Sequence, residues 1–141
     1  MKLRAMLTLI ILIPILWLVA CAPSTGNSVT VSCDDFGTQK NITRQLTVSS
    51  GSSFTVTLCS NATTGFSWLE SAQISDTTVI EQTNHTRIAP ENTGLVGAPG
   101  TEVWTFKALK KGTSNIDLQY SQPWEGGQKG AWTFNLSVTV K

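Results

Sequence analysis

Few side chains in this sequence could carry out catalysis. The chain has 141 residues and one histidine, His85, which lies in the polar stretch 82–87. A nucleophile that needs an imidazole base would have to use this residue, but no serine occurs in the strained turn that exposes a catalytic serine. The nine acidic residues are scattered, and one histidine with three cysteines makes most metal sites hard to build. We therefore expect neither an enzyme nor a metal or other cofactor.

The charge balance also restricts the partners. Ten basic residues stand against nine acidic ones, which gives a formal net charge of +1 and a pI of about 7.7. Such a chain lacks a basic surface large enough to neutralise a run of phosphates. Nucleic acid is therefore not an expected partner.

One polar stretch, 60–68, carries side chains suited to binding rather than catalysis. Asn61 and Gly65 tolerate left-handed backbone, and Thr63 and Thr64 stand between them. Threonine hydroxyls can bond the amides of their own loop. We expect a loop that is stiff and narrow.

Two further stretches expose apolar side chains among turn formers. Residues 94–100 place Leu95 and Val96 between glycines, just before a predicted strand. Residues 121–127 place Trp124 between a proline and a glycine turn, where an indole is hard to bury. An exposed tryptophan is more often tucked against its own loop than functional, but three unusual loops in one small domain favour a binding role.

Strands must position these loops, because the chain from Val29 onward alternates apolar and polar residues. In 132–140 every second residue is apolar and those between are Thr, Asn or Ser, the pattern of a strand that buries one face. Seven or eight short strands in about 110 residues, with no helix to connect parallel strands, predict an all-β fold, an immunoglobulin-like antiparallel β-sandwich. The predicted strands begin at Val29 and cover 42–48, 54–58, 66–73, 78–82, 102–109, 116–120 and 132–140.

The same pattern predicts the core and the place of the loops. In an immunoglobulin-type sandwich, alternate connections can gather at one end, and counting strands assigns the three loops to about those connections. The layer between the sheets should hold Val31, Phe54, Val56, Leu58, Trp104 or its neighbours, Phe106, Ile116, Leu118, Trp132, Phe134, Leu136 and Val138.

The first residues have the pattern of an export signal. Lys2 and Arg4 precede an apolar run that ends at Ala20 and is too short for a confident membrane span. Cys21 follows, and Leu18-Val19-Ala20-Cys21 resembles the lipobox of bacterial lipoproteins, in which the cysteine is lipidated and becomes the first mature residue. We expect 1–20 to be a lipoprotein signal peptide and 21–28 a tether. The mature protein would be anchored to the cell membrane on its extracytoplasmic side.

The remaining cysteines, Cys33 and Cys59, would then be an even pair in an oxidising compartment. A disulfide is the default expectation for such a pair. Two buried free thiols remain the alternative at this point.

The three loops resemble the motifs of the chagasin-type inhibitors of papain-like cysteine proteases. The family's first motif is Asn-Pro-Thr-Thr-Gly, then an aromatic residue and, two positions on, Trp; residues 61–68 match it except that Ala62 replaces the proline. The second, Gly-X-Gly-Gly before a strand, is matched by 97–100 with a proline in third position. The third, Arg-Pro-Trp, is matched by 122–124 with a glutamine in place of the arginine.

The resemblance covers 29–141, the predicted inhibitor domain, and implies a reversible, competitive inhibitor that is not an enzyme. In the family, the Thr-Thr-Gly loop enters the cleft beside the catalytic cysteine and histidine, the glycine-rich loop lies on the non-primed side and the Pro-Trp loop on the primed side. A papain-like cysteine protease is thus the implied partner, bound by a monomer. Carried over, the protease-binding residues are Asn61, Thr63, Thr64, Gly65, Phe66, Leu95, Val96, Gly97, Ala98, Gly100, Pro123 and Trp124.

Three departures from the family pattern bear on affinity. Losing the proline at Ala62 should let the first loop sample more conformers, at a cost of roughly 0.4–1 kcal/mol. Pro99 could alter where Leu95 and Val96 point, and Gln122 removes a cation that could face an enzyme carboxylate. These changes predict a lower affinity or a different target enzyme.

Two other functions stay open on the sequence alone. A cell-surface module could keep the sandwich and use Trp124 to bind a carbohydrate or another envelope protein. A hydrolase would depend on His85. Assays of papain inhibition and glycan binding, and a His85 substitution, distinguish the three.

Overall fold

Alternating apolar and polar residues fold the chain into two facing β-sheets. The computed structural model describes residues 24–91 and 97–141, which contain ten strands, one short helix and one turn of 3-10 helix over Ala62–Thr64. The elements are β1 (Ser24–Thr25), β2 (Ser28–Val31), α1 (Cys33–Thr38), β3 (Asn41–Val48), β4 (Ser53–Ser60), β5 (Ser67–Trp68), β6 (Gln73–Ile74), β7 (Ile80–Ile88), β8 (Gly100–Ala108), β9 (Gly112–Ser121) and β10 (Trp132–Val140).

The sheets form the predicted sandwich. One has the order β1-β3-β10-β9-β5, with β6 also paired to β9, and the other has the order β2-β4-β8-β7. The pairs β1–β3, β3–β10 and β2–β4 are parallel, and the remaining pairs are antiparallel. The sequence analysis predicts an antiparallel sandwich and does not foresee the parallel pairs. Local alternation does not encode which strands from distant parts of the chain become neighbours.

The core lies between the sheets and contains the predicted apolar residues with one exception. All of them are buried except Trp132, which is partly buried and packs against the core. Its indole is stacked between Phe36, at 4.9 Å between ring centroids, and Tyr120, at 4.8 Å. Full burial of one large apolar side chain contributes about 1.5–3 kcal/mol, so these side chains supply the main force that holds the sheets together.

The sequence predicts no helix, but the structure has α1. Ser32 caps it, since its hydroxyl accepts a hydrogen bond from the Asp35 amide at 3.2 Å while the Asp35 carboxylate accepts one from the Ser32 amide at 2.9 Å. The Asp35 carboxylate also accepts a hydrogen bond from the Ser32 hydroxyl at 2.7 Å. This bond and the one from the Ser32 amide favour the charged form and lower the pKa of Asp35. Phe36 is the buried residue of the helix. A helix of this length shows no apolar periodicity, so pattern analysis passes over it.

The predicted disulfide between Cys33 and Cys59 is confirmed. It joins the start of α1 to the end of β4, with 5.0 Å between the two Cα atoms. The helix is therefore fastened two residues before Asn61, where the first loop begins.

Most strands match the predicted ones to within a few residues, and two predicted strands differ more. The stretch 66–73 forms two short strands, β5 and β6, which pair with different parts of β9. The strand predicted over 78–82 runs on to Ile88 as β7 and therefore includes His85. The strand lies at the edge of its sheet and has a bulge between Gln82 and Asn84. Edge strands tolerate polar side chains on both faces, so alternation is lost there.

The predicted signal peptide and Cys21 lie outside the described residues. Ser24 and Thr25, inside the predicted tether, pair with β3. No helix among the described residues is both apolar enough and long enough to cross a membrane.

Candidate functional site

The ends of four strands bring the three loops together. Ser60 at the end of β4 pairs with Gly100 at the start of β8, so the first loop leaves the sheet where the second one enters it. In the other sheet, Ser67 at the start of β5 pairs with Ser121 at the end of β9, where the third loop starts. The predicted convergence at one pole is observed.

The first loop is stiffened by its own hydrogen bonds. Asn61 Oδ1 accepts bonds from the Thr63 amide at 3.1 Å and the Thr63 hydroxyl at 2.6 Å. The Thr64 hydroxyl donates to the Asn61 carbonyl at 2.7 Å. Gly65 closes the turn in the left-handed region, with a φ of 76°, which favours glycine. These bonds stiffen a loop whose Ala62 lacks the family's proline.

The base of this loop is held by a tyrosine that sequence reasoning missed. The buried Tyr120 hydroxyl accepts a hydrogen bond from the Asn61 amide at 2.9 Å and donates one to the Asn61 carbonyl at 3.1 Å. Phe66 stacks on its ring at 5.6 Å, and the Trp68 indole donates to the Cys59 carbonyl at 2.8 Å. A signal was present in the sequence, since a buried tyrosine needs a partner for its hydroxyl.

The second loop touches the first through Gly97. The side-chain Nδ2 of Asn61 donates to the Gly97 carbonyl at 3.0 Å. A Cβ placed on Gly97 would lie 3.7 Å from the Thr63 hydroxyl oxygen. A Cβ on Gly100 would collide with the Ile88 carbonyl oxygen, so β7 and β8 approach closely only because this residue is glycine. The predicted contacts Leu95 and Val96 lie outside the described residues.

The third loop places Trp124 against the first. A Cβ on Gly65 would lie 2.9 Å from Cη2 of Trp124, so the indole rests on the bare glycine backbone while 50% of the residue stays exposed. Gln122, at the family's arginine position, accepts a hydrogen bond from the Gln128 amide at 2.8 Å. Lys129 donates to the Trp124 carbonyl at 3.0 Å. The tryptophan is thus presented by an internally bonded loop.

Among the grooves that border the first loop, two lie between it and the neighbouring loops. One, of about 370 Å³, lies between the first and second loops and includes Ala62, Thr63 and Ala98 among its lining residues. The other, of about 640 Å³, lies between Gly65 and Trp124. The loops therefore form a ridge with a hollow on either side.

His85 is placed where it cannot serve a serine nucleophile. Its Nε2 lies 2.8 Å from the Glu102 carboxylate, and its ring packs 4.8 Å from Trp104. Ser60 donates to the other oxygen of Glu102 at 2.7 Å. In a catalytic triad the histidine stands between the serine and the acid, whereas here the acid stands between the other two. His85 lies in the edge strand β7, and its side chain is only 12% exposed although its neighbours in the sequence are polar.

Among the described residues, no group of three or more His, Cys, Asp or Glu side chains could hold a metal ion. This pole of the sandwich presents a rigid ridge, an exposed indole and small polar side chains. A sandwich that carries such a ridge defines a protein-binding domain.

Known proteins that this chain resembles identify its family. Residues 47–138 match the family model described as Chagasin family peptidase inhibitor I42. Amoebiasin-2 of Entamoeba histolytica is 31% identical over 104 residues, which cover 74% of this chain and 83% of the relative. Chagasin of Trypanosoma cruzi is 34% identical over 92 residues, covering 64% of this chain and 84% of the relative.

A solved structure agrees with these relatives. The cysteine protease inhibitor EhICP2 of Entamoeba histolytica matches with a TM-score of 0.61 and 25% identity, over 85% of this chain and 100% of that one. This chain belongs to the chagasin family, the inhibitors of papain-like cysteine proteases that its loop motifs predict. It is an inhibitor and not an enzyme.

Proposed function

We propose that the three loops enter the active-site cleft of a papain-like cysteine protease together and block it reversibly and competitively. The observation that carries this proposal is the contact among the loops. Asn61 is bonded to Gly97, and Trp124 rests on Gly65. The ridge is therefore formed before binding, so little conformational entropy is lost when it enters a cleft.

The first two carbonyl oxygens of the first loop, those of Asn61 and Ala62, are already hydrogen-bonded within the protein. The Asn61 carbonyl accepts bonds from the Thr64 amide at 3.2 Å and from the hydroxyls of Thr64 and Tyr120. The Ala62 carbonyl accepts one from the Gly65 amide at 3.5 Å. A protease must offer its own oxyanion donors to the carbonyl it attacks. The carbonyls of Asn61 and Ala62 are therefore poorly placed for attack while Thr63, Thr64 and Gly65 cover the nucleophile.

Trp124 supplies the anchor on the primed side. Half of this residue is exposed, and Pro123 precedes it. Truncating a large aromatic anchor to alanine commonly costs about 2 kcal/mol or more of binding free energy. On the non-primed side, Leu95, Val96 and Ala98 would provide apolar contacts.

The test is a titration of papain with the mature protein at several substrate concentrations. Competitive inhibition requires the apparent inhibition constant to rise with substrate concentration. Trp124→Ala and Thr64→Ala should each raise the inhibition constant about tenfold or more. Leu109→Ala is the matched control, because Leu109 is also exposed and apolar, at 38%, but lies in the β8–β9 turn at the opposite pole. Absence of inhibition at micromolar inhibitor, or equal effects of all three substitutions, would contradict the proposal.

We also propose that the chain is exported and anchored through a lipid on Cys21, and that it binds its target as a monomer. The lipobox-like sequence supports the anchor, and the Cys33–Cys59 disulfide fits an oxidising compartment. In a bacterial host, the full chain should fractionate with membranes and carry a lipidated Cys21 by mass spectrometry, and Cys21→Ser should abolish both. A membrane fraction unchanged by Cys21→Ser would contradict lipid anchoring, and dimerisation in size-exclusion chromatography of the mature domain would contradict the monomer.

A further inference from the structure

Polar residues are rare in the interior, and two of them lie beneath the loops. The buried polar side chains of the described residues are Ser60, Glu102 and Ser114. Glu102 is 1% exposed. Burying a carboxylate costs free energy that is regained only through hydrogen bonds and paired charges, and an apolar residue would fill the same space without that cost. The presence of a carboxylate here needs a reason other than stability.

Glu102 has a partner for each of its oxygens. Oε1 accepts a hydrogen bond from the Ser60 hydroxyl at 2.7 Å, while Oε2 lies 2.8 Å from His85 Nε2 and 3.4 Å from Arg87 Nε. Arg87 also reaches the Glu70 carboxylate, at 3.2 Å. The network thus joins β4, β7 and β8 with the segment that follows β5.

The position of this network relates it to two loops. Ser60 is the last residue of β4, directly before Asn61, and Glu102 is the third residue of β8, two positions after Gly100. In the β4–β8 register, Leu58 is the partner of Glu102 and Ser60 that of Gly100. The carboxylate therefore reaches along the strand pair to the point where one loop leaves and the other enters.

We propose that Glu102 is a positioning residue of the inhibitor. By holding the Ser60 hydroxyl, it fixes the direction in which the first loop leaves β4 and the spacing between that loop and the second one. It touches no part of the protease and acts through Ser60. This inference rests on the proposed function for its effect on inhibition, but the effect on the loop itself can be measured without a protease.

The first test uses the two buried serines as a matched pair. Ser60→Ala removes the hydroxyl that Glu102 holds. Ser114→Ala removes another buried hydroxyl, which bonds the Asp76 amide at 3.0 Å and its carbonyl at 3.1 Å and lies 3.3 Å from the Ser75 hydroxyl, far from the loops. Both variants should lower the melting temperature, but only Ser60→Ala should weaken papain binding, by roughly three- to tenfold, the factor that one lost hydrogen bond typically produces. The loss should come from faster dissociation.

Amide hydrogen exchange gives the readout that needs no protease. Ser60→Ala should accelerate exchange at Thr64 and Gly65, whose amides bond within the first loop, and Ser114→Ala should leave it unchanged. If wild-type protein fails to inhibit papain, the proposed function fails while these exchange rates still decide the present inference. Unaltered exchange in Ser60→Ala, or equal effects of the two serine substitutions on binding, would overturn it.

Substitutions of the acid complete the test. Glu102→Gln keeps an oxygen that can accept from Ser60, so it should bind papain within about threefold of wild type, whereas Glu102→Ala should bind as weakly as Ser60→Ala. Because both changes remove the same contact, the double variant Ser60→Ala/Glu102→Ala should be no weaker than either alone. Additive losses would show that the two residues act independently, which the proposal excludes.

Discussion

The single atom that Gly65 lacks decides how the first and third loops meet. The indole of Trp124 occupies the space that a Cβ would need, and the backbone of Gly65 is left-handed. Both features demand glycine, one through steric contact and the other through conformation.

Replacing this glycine separates the two effects when a second glycine is used as a control. Gly65→Ala and Gly51→Ala should each lower the free energy of unfolding by about 1–2 kcal/mol, because both residues have positive φ, 76° and 81°. A Cβ at Gly51 meets nothing within 4 Å. Only Gly65→Ala should therefore displace Trp124, shift its fluorescence and weaken papain inhibition. Equal inhibition by both variants would show that the indole does not depend on this contact.

At the scale of elements, α1 is a short helix that is fixed at its start. Its capping hydrogen bonds fix the start, and the disulfide fastens Cys33 to the strand that leads into the first loop. Phe36 fills the space between Trp68 and Trp132, with ring centroids 5.3 Å and 4.9 Å away. The helix thus supports the side of the site on which the first loop begins.

Loss of the disulfide should show as a loss of stability. The two cysteines are 26 positions apart, and closing such a loop lowers the entropy of the unfolded chain by an amount worth about 3–4 kcal/mol. The variant Cys33→Ser/Cys59→Ser should lose this much in urea unfolding. Reductant should destabilise wild type but not the variant. An unchanged midpoint in reductant would mean that the bond constrains neither state.

The helix cap should respond to acid. The hydrogen bonds from Ser32 favour the charged carboxyl of Asp35 and lower its pKa from its ordinary value of 3.8 in the folded state. The unfolded chain therefore binds this proton first, and the stabilisation is present above pH 3.8 and lost as pH falls through the lower folded-state pKa.

Melting temperatures measured from pH 7 down to about pH 2 test this. Asp35→Asn should melt below wild type at neutral pH, and the gap should close in acid. Asp34→Asn, a neighbour that takes no part in the capping box, should not reproduce that behaviour. A gap that is independent of pH would assign the loss to packing rather than to charge.

The proposed function divides the whole molecule into a pole that binds the protease and a pole that serves stability. Phe54 and Phe106 stack 5.2 Å apart next to the Ser53–Lys107 pair, at the end of β4 farthest from Asn61. Tyr120, in contrast, holds the first loop directly. Stability and inhibition should therefore be separable.

Two core substitutions should show the separation. Phe54→Ala should cost about 3–5 kcal/mol of unfolding free energy but leave the dissociation constant for papain unchanged at a temperature where circular dichroism shows it folded. Tyr120→Phe should cost less, about 1–3 kcal/mol, but weaken binding, because the Asn61 amide loses its bond to the tyrosine hydroxyl and the Asn61 carbonyl loses one of its three bonds. The reverse pattern would place the determinants of loop geometry elsewhere in the core.

Strand alternation and the loop motifs are local features, and the sequence by itself determined what depends on them. In 132–140 the alternation settles which side chains face inward, and the residues of 61–68 identify the family and the first loop. These features need only neighbouring residues, because a strand's period and a turn's backbone preferences act over a few positions.

The tertiary structure alone decided what depends on contacts between distant residues. It paired β3 with β10 in parallel, placed Tyr120 under Asn61, and buried Glu102 against Ser60, 42 positions away. Alternation places Glu102 on the same face as Trp104 and Phe106, but no local pattern names its partners or distinguishes His85 from a solvated histidine. Their partners are chosen when the sheets assemble, because the hydrogen bonds that make burial of these polar groups tolerable come from other strands.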